Sequence, residues 1–234
     1  MAIASRFLAA GVALAGALVA TAAQAAIYIE QSGTVAQTEV FAHRFAGTAD
    51  EAYAYSTISG FSYNGDVEHG LPLAEAGVAT VFLVETDEGL TLFTVFDATS
   101  SSGGRQNSRW TYLDGNRSGA VLVNDDSPNR DAYDRSSNTF NFEHIWGAGF
   151  TDGFVFDISG GPFDLQGELL AAGATWLTSL VFVTPDTNDN DIVLSLHDAF
   201  RIYGDSAETP IPGAVAFGAL GFAGLVGLDR RRRR

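Results

Sequence analysis

Residues 78–97 read VATVFLVE, then TDEG, then LTLFTVFD. Two β-rich runs, 78–85 and 90–97, flank a four-residue connection ending in Gly89, where a positive φ is expected. That order predicts a β-hairpin. Phe82, Val84, Leu92, Thr94 and Phe96 alternate between faces, yet almost every position in both runs is apolar. A strand pair of this kind is expected at the centre of a sheet, buried on both sides.

Working outward, further short strands are predicted at 26–31, 39–46, 52–58, 109–113, 120–124, 139–142, 153–158, 176–184, 191–196 and 200–203. Segments rich in Gly, Asp, Asn and Ser separate them, notably 100–104, 114–119, 125–138 and 160–162. One short helix is predicted inside the domain, near 165–172. Many short strands joined by turn chemistry specify an all-β chain, expected as an antiparallel β-sandwich of jelly-roll-like form.

The two ends read differently. Arg6 precedes a small, apolar run over 7–22. Ala23-Gln24-Ala25 then supplies a small-x-small cleavage pattern, with the cut expected before Ala26. Near the other end, Pro210-Ile211-Pro212 is followed by an apolar run over 213–228. Asp229 and the cluster Arg230, Arg231, Arg232, Arg233 and Arg234 come next. As a helix, 213–228 would measure ~24 Å, and starting it at Pro212 brings it to ~28 Å, enough to cross a bilayer core of ~30 Å. Gly218, Gly221, Gly224 and Gly227 recur every third residue, a strip along which another helix can approach closely. The arginines are expected on the cytoplasmic side. The expected organisation is thus a signal helix over 1–25, an exported β-sandwich over 26–206, and a tail over 207–234 carrying the motif, a transmembrane helix and the Arg cluster.

This tail resembles the PEP-CTERM type of bacterial sorting signal, closest to the variant whose motif reads Val-Pro-Leu-Pro-Ala. Residues 123–126 and 146–153 are also loosely similar to stretches of exported PEP-CTERM proteins. The resemblance implies export through the Sec translocon and anchoring in the inner membrane by the C-terminal helix. It further implies recognition by an exosortase-like membrane enzyme that sorts the protein to the envelope, surface or extracellular matrix.

Charge follows from this organisation. The chain has 13 basic and 28 acidic residues, no lysine and no cysteine. Six of the basic residues (Arg6 and the terminal five) and one acid (Asp229) lie in 1–25 and 211–234. Residues 26–210 keep 7 basic against 27 acidic residues, a net charge near −20. Such a domain repels nucleic acid and attracts divalent cations or basic partners. Without disulfides its stability must come from burial, to which bound ions would add.

The acidic loops are the candidate metal sites. Asp125, Asp126 and Asp131 lie in one, and Asp186, Asn188 and Asn190 in another. Alternating Asp and Asn can aim several oxygens at Ca²⁺, the cofactor such loops would take. The 186 loop is not an EF-hand: Asp191 stands where the turn glycine belongs and His197 where the last carboxylate belongs. The competing reading is that these side chains bond their own backbone as turn formers.

Enzyme signatures are missing. His43, His69, His144 and His197 show no paired metal spacing and are expected at the surface or at sheet edges. Glu143 and His144 are adjacent, and neighbours on a strand point to opposite faces, so the pair is ill placed to share one task. There is no nucleophile elbow and no phosphate-binding glycine motif. The expected function is that of a non-enzymatic, structural or interaction protein of the cell surface or matrix. The alternatives are an exopolysaccharide-binding module, with Trp110, Tyr112, Trp146, Phe150 and Trp176 as a stacking platform or as plain core, and a glycan hydrolase built on two facing carboxylates.

Overall fold

The computed structural model describes residues 26–54, 62–98, 102–114, 119–125, 131–171, 176–185 and 191–204. In chain order the elements are β1 (Ile27–Gln31), β2 (Val35–Val40), β3 (His43–Arg44), α1 (Ala49–Tyr53), α2 (Gly65–His69), β4 (Val78–Thr86) and β5 (Gly89–Phe96). There follow β6 (Gly104–Tyr112), β7 (Val121–Asn124), β8 (Ala132–Ser136), β9 (Thr139–Trp146), β10 (Asp152–Asp157), β11 (Phe163–Leu170), β12 (Ser179–Val183), β13 (Ile192–Leu194) and β14 (Phe200–Gly204).

The strands form two seven-stranded sheets packed as a sandwich. The first runs β2-β1-β14-β11-β6-β9-β8. The second runs β13-β12-β4-β5-β10-β7, with β3 beside the far end of β4. Most pairs are antiparallel, but β12 and β3 both pair parallel to β4, so the expected all-antiparallel sandwich needs correcting. The reason for β3 is its connection: residues 45–77, carrying α1 and α2, cross over before the chain returns as β4. A parallel pair needs a crossover of this length. The first and last described strands are neighbours, with Ile27 opposite Gly204.

The hairpin is present. β4 and β5 pair from Ala79↔Phe96 to Thr86↔Gly89, leaving Asp87 and Glu88 as its loop, and Gly89 has φ 116°. The alternation predicted along the hairpin sorts its side chains into two cores. Ala79, Val81, Leu83, Leu92 and Phe96 face the first sheet, where they meet Trp110, Phe140, Phe142 and Trp146. Phe82, Val84, Phe93 and Val95 face the other way and are covered by Ala49, Ala52, Tyr53, Tyr63 and Leu71. Burying each Phe or Leu contributes roughly 1.5–3 kcal/mol.

Three expectations fail here. The helix over 165–172 is instead β11, a central strand paired to both β14 and β6. Phe163, Leu165, Gly167 and Leu169 are buried while the residues between them are half-exposed. That period of two overrides the helix propensity of Leu, Gln and Glu. Gly167 is needed there, because an added Cβ would stand 2.7 Å from both the Phe200 and Trp110 rings. The strand expected over 52–58 fails over its described part, since Ala52 and Tyr53 belong to α1 and Ala54 caps it; 55–58 lie outside the described residues. Thr48 caps that helix, accepting from the Glu51 amide at 3.2 Å while Glu51 accepts from the Thr48 amide at 2.8 Å. Finally, β8 lies within a segment read as turn. All five of its residues are exposed and it shows no apolar alternation; pairing to β9 alone holds it.

No helix among the described residues is long and apolar enough to cross a membrane. The expected signal helix and transmembrane helix lie outside the described residues, as do Ala23, Ala25, Pro210, Ile211, Pro212, Arg230, Arg231, Arg232, Arg233 and Arg234. Ala26 is described and precedes β1.

Candidate functional site

β9 presents Phe140, Phe142, His144 and Trp146 on one face, all turned into the core between the sheets. An imidazole thus occupies a place in a row of aromatics. It is fully buried, so the expectation of a surface or edge histidine is wrong for His144. Its neighbour Glu143 faces outward and pairs with Arg105, as period two requires. The His144 ring lies 5.4 Å from Phe154, 5.8 Å from Phe142 and 5.2 Å from Phe96. Of the other histidines, His43 and His69 are half-buried and His197 is exposed.

A buried imidazole needs polar partners. His144 Nδ1 lies 2.9 Å from Asp152 Oδ1 and 3.3 Å from Asp131 Oδ2. Asp152 opens β10, on the second sheet, and Asp131 immediately precedes β8 at the edge of the first. The contact therefore runs across the sandwich and ties its two layers together. Both carboxylates are held by backbone amides. Ile145 N–H donates to Asp131 Oδ1 at 3.1 Å, and Gly153 N–H donates to Asp152 Oδ1 at 2.6 Å. Asp131, His144 and Asp152 are each at most 1% exposed.

Two further cross-sheet links run beside this one. Trp146 Nε1 donates to Asp97 Oδ2 at 2.9 Å, and Tyr112 donates to the Asp157 carbonyl at 3.0 Å. From the covering helix, Tyr53 donates to Asp125 Oδ2 at 2.7 Å. Gly153 makes room for it: a Cβ there would lie 2.2 Å from the Thr94 carbonyl and 3.1 Å from the Tyr53 hydroxyl. Burial and the charges of Asp125, Asp152 and Asp131 hold the Tyr53 phenol well above its ordinary pKa, so it stays a donor.

The charges of the trio do not balance. Burial pushes the His144 imidazole down, but Asp152 and Asp131 outweigh it and raise its pKa to about 10. Asp152 is raised to about 7, first by burial and then by Asp131, against the pull of His144. The two shifts point the same way for different reasons, burial for Asp152 and the carboxylates for His144. Two buried carboxylates share one cation, so the group holds its protons more tightly than the same residues do in water.

No protein-family model, curated protein or solved structure matches the chain.

The sequence-predicted candidates divide accordingly. Asp131 is in the cluster. Asp125 is buried beside it and bonded to Tyr53. Asp126, Asp186, Asn188 and Asn190 lie outside the described residues. Sequence reasoning missed His144 and Asp152. Of the five aromatics considered as a sugar platform, Trp110, Tyr112 and Trp146 are core residues, while Phe150 and Trp176 are 36% and 62% exposed. The facing Asp131 and Asp152 carboxylates are sealed from solvent, so they cannot flank a glycosidic bond. An open groove of about 780 Å³ along β1 and β2 is lined by Glu30, Gln31, Gln37, Gln166 and Arg201. Arg201 is already engaged there by Asp164 and Glu30.

Proposed function

We propose that this chain is an exported, non-enzymatic protein of the cell surface or extracellular matrix. In this reading a jelly-roll-like sandwich is passed through the Sec translocon. A C-terminal helix then holds it in the inner membrane until an exosortase-like enzyme processes the tail. The observation that carries the non-enzymatic part is enclosure. The Asp–His–Asp constellation, buried between the sheets at one end of the sandwich, is at most 1% exposed, so no substrate reaches it. Several outward side chains of the first sheet are engaged in surface ion pairs, such as Arg201 with Asp164 and Glu30. The Pro210-Ile211-Pro212 motif and the Arg cluster of the tail support the route. The excess of acids supports a role at a solvated exterior, with divalent cations or basic partners as the attracted species and nucleic acid as the repelled one.

Intact mass and fractionation of the protein from its native cells test this reading. Loss of residues 1–25, a second cut near 209–213 and recovery from the surface or medium are the expected result. A chain found in the cytoplasm with both ends intact would sink it. A processed N-terminus with the tail retained in the inner membrane would remove the sorting step and leave a plain anchor.

A further inference from the structure

We propose that Asp131, His144 and Asp152 form a binding site for one divalent transition ion of the zinc type, fastening the two sheets at one end of the sandwich. Three independent features converge on it. One donor atom from each residue lies within 4.8 Å of the other two. Each carboxylate spends Oδ1 on a backbone amide, and Asp131 Oδ2 and Asp152 Oδ2 accept no hydrogen bond although both are buried. Buried carboxylate oxygens without donors are costly, and an ion satisfies them. Finally, one imidazole faces two carboxylates, which leaves the enclosed trio with an excess of negative charge once the acids are ionised.

The spacing also speaks to the kind of ion. Nitrogen and oxygen ligands ~2.0–2.2 Å from a four-coordinate ion stand about 3.3 Å apart at tetrahedral angles. His144 Nδ1 is 3.3 Å from Asp131 Oδ2, which matches that edge; its 2.9 Å contact on the other side is to Asp152 Oδ1, the oxygen held by the Gly153 amide, so a ligating Asp152 would turn its free Oδ2 toward the ion. The trio therefore accepts such an ion with small movements. The Ile145 and Gly153 amides would act as the outer contacts that fix ligand orientation. Calcium fits less well, because it takes six to eight oxygen ligands and the trio offers two carboxylates and a nitrogen. At Asp131 the proposed ion is thus of the zinc type, where the sequence alone suggested calcium. Binding would require His144 to give up its Nδ1 proton, so ion and proton compete for one atom. The side chains are enclosed by Phe96, Phe142 and Phe154, which makes the site structural, with slow exchange.

The test uses the full chain purified without chelator. Elemental analysis is expected to find about one zinc-type ion per chain. Adding Zn²⁺ after EDTA treatment is expected to raise the melting midpoint by about 5–10 °C at a hundredfold excess over Kd, and Ca²⁺ by less. Asp131→Asn and Asp152→Asn should each lose both the ion and the response. X-ray absorption on the zinc-loaded wild type needs no variant and should show one imidazole among N/O ligands at ~2.0–2.1 Å. The proposal is overturned by a chain with no ion and no zinc response. It is equally overturned by a response that survives both substitutions, by a response to calcium alone, or by an absorption spectrum without imidazole. None of these outcomes bears on whether the protein is exported, which the mass and fractionation experiment decides.

Discussion

The two sheets are built from the same kind of strand but meet different surroundings. The first has one dry face and one wet face: β9 and β11 alternate strictly between buried and half-exposed residues. The second is dry on both faces across β4, β5 and β10, because α1, α2 and their flanking segments lie over its outer side. The difference teaches that the short helices act as a second roof, without which Phe82 and Phe93 would face water. It also places polar chemistry differently. On the first sheet, charged groups sit outside, in water. On the second, they can only sit at strand ends, where Asp97, Asp125 and Asp152 are found.

The comparison breaks most visibly at its two cores. Phe82→Ala, under the roof, and Phe154→Ala, between the sheets, are each expected to cost about 3–5 kcal/mol in denaturant unfolding. Near-equal losses would place the roof on a par with the central core. A loss below about 1 kcal/mol for Phe82→Ala would show that it is merely a loose cover.

Next in size is the clamp between the layers. His144→Leu leaves two buried carboxylates without their cation and is expected to cost about 3–5 kcal/mol at neutral pH. With chelator present, the wild type should also depend on pH in a definite direction. Asp152 and His144 both bind protons more tightly when folded. The Asp152 contribution is lost as pH rises from its unfolded value near 4 through about 7, and the His144 contribution as pH rises from about 6.5 through about 10. The midpoint should therefore fall between pH 6 and pH 10, with a shallower fall in His144→Leu. A rising midpoint in the wild type would contradict the buried trio.

A smaller effect is expected where the roof is anchored. Thr48→Ala removes half of the capping box of α1 and should cost about 1 kcal/mol, while Thr48→Ser should restore most of it. Smallest of all is the wet face. Arg201 is about two-fifths exposed where it meets Asp164 and Glu30, so solvent screens these pairs. Arg201→Ala is expected to cost less than about 1 kcal/mol, and raised salt should shrink the difference further.

Legibility in the sequence follows the same division. The hairpin at 78–97 was readable because its composition allows no other element, and its double burial because both phases of the alternation are apolar. β11 was not read, since Leu165, Gln166, Glu168, Leu169 and Leu170 are good helix formers and only tertiary pairing selects period two. The capping box Thr48-x-x-Glu51 was present in the sequence, but the Ala-Tyr repeat after it imitates a strand. β8 carries no apolar pattern and exists because β9 offers it an edge. For the site, the run Thr139 to Trp146 already places His144 in phase with Phe140, Phe142 and Trp146, which marks it as an inward residue. Asp152 is likewise in phase with Phe154 and Phe156. What the sequence could not supply is their meeting, because β9 and β10 belong to different sheets and approach only when the sandwich closes.

The pairing of β1 with β14 has a mechanical side. Ile27 and Gly204 stand opposite each other at one end of an antiparallel ladder. Tension applied between these two residues would pull the ladder apart one rung at a time, as a zipper opens, instead of shearing all its hydrogen bonds together. A load carried through one of them alone would leave that ladder untouched. The domain is thus suited to being held by a single end and poorly suited to serving as a link in a chain under tension.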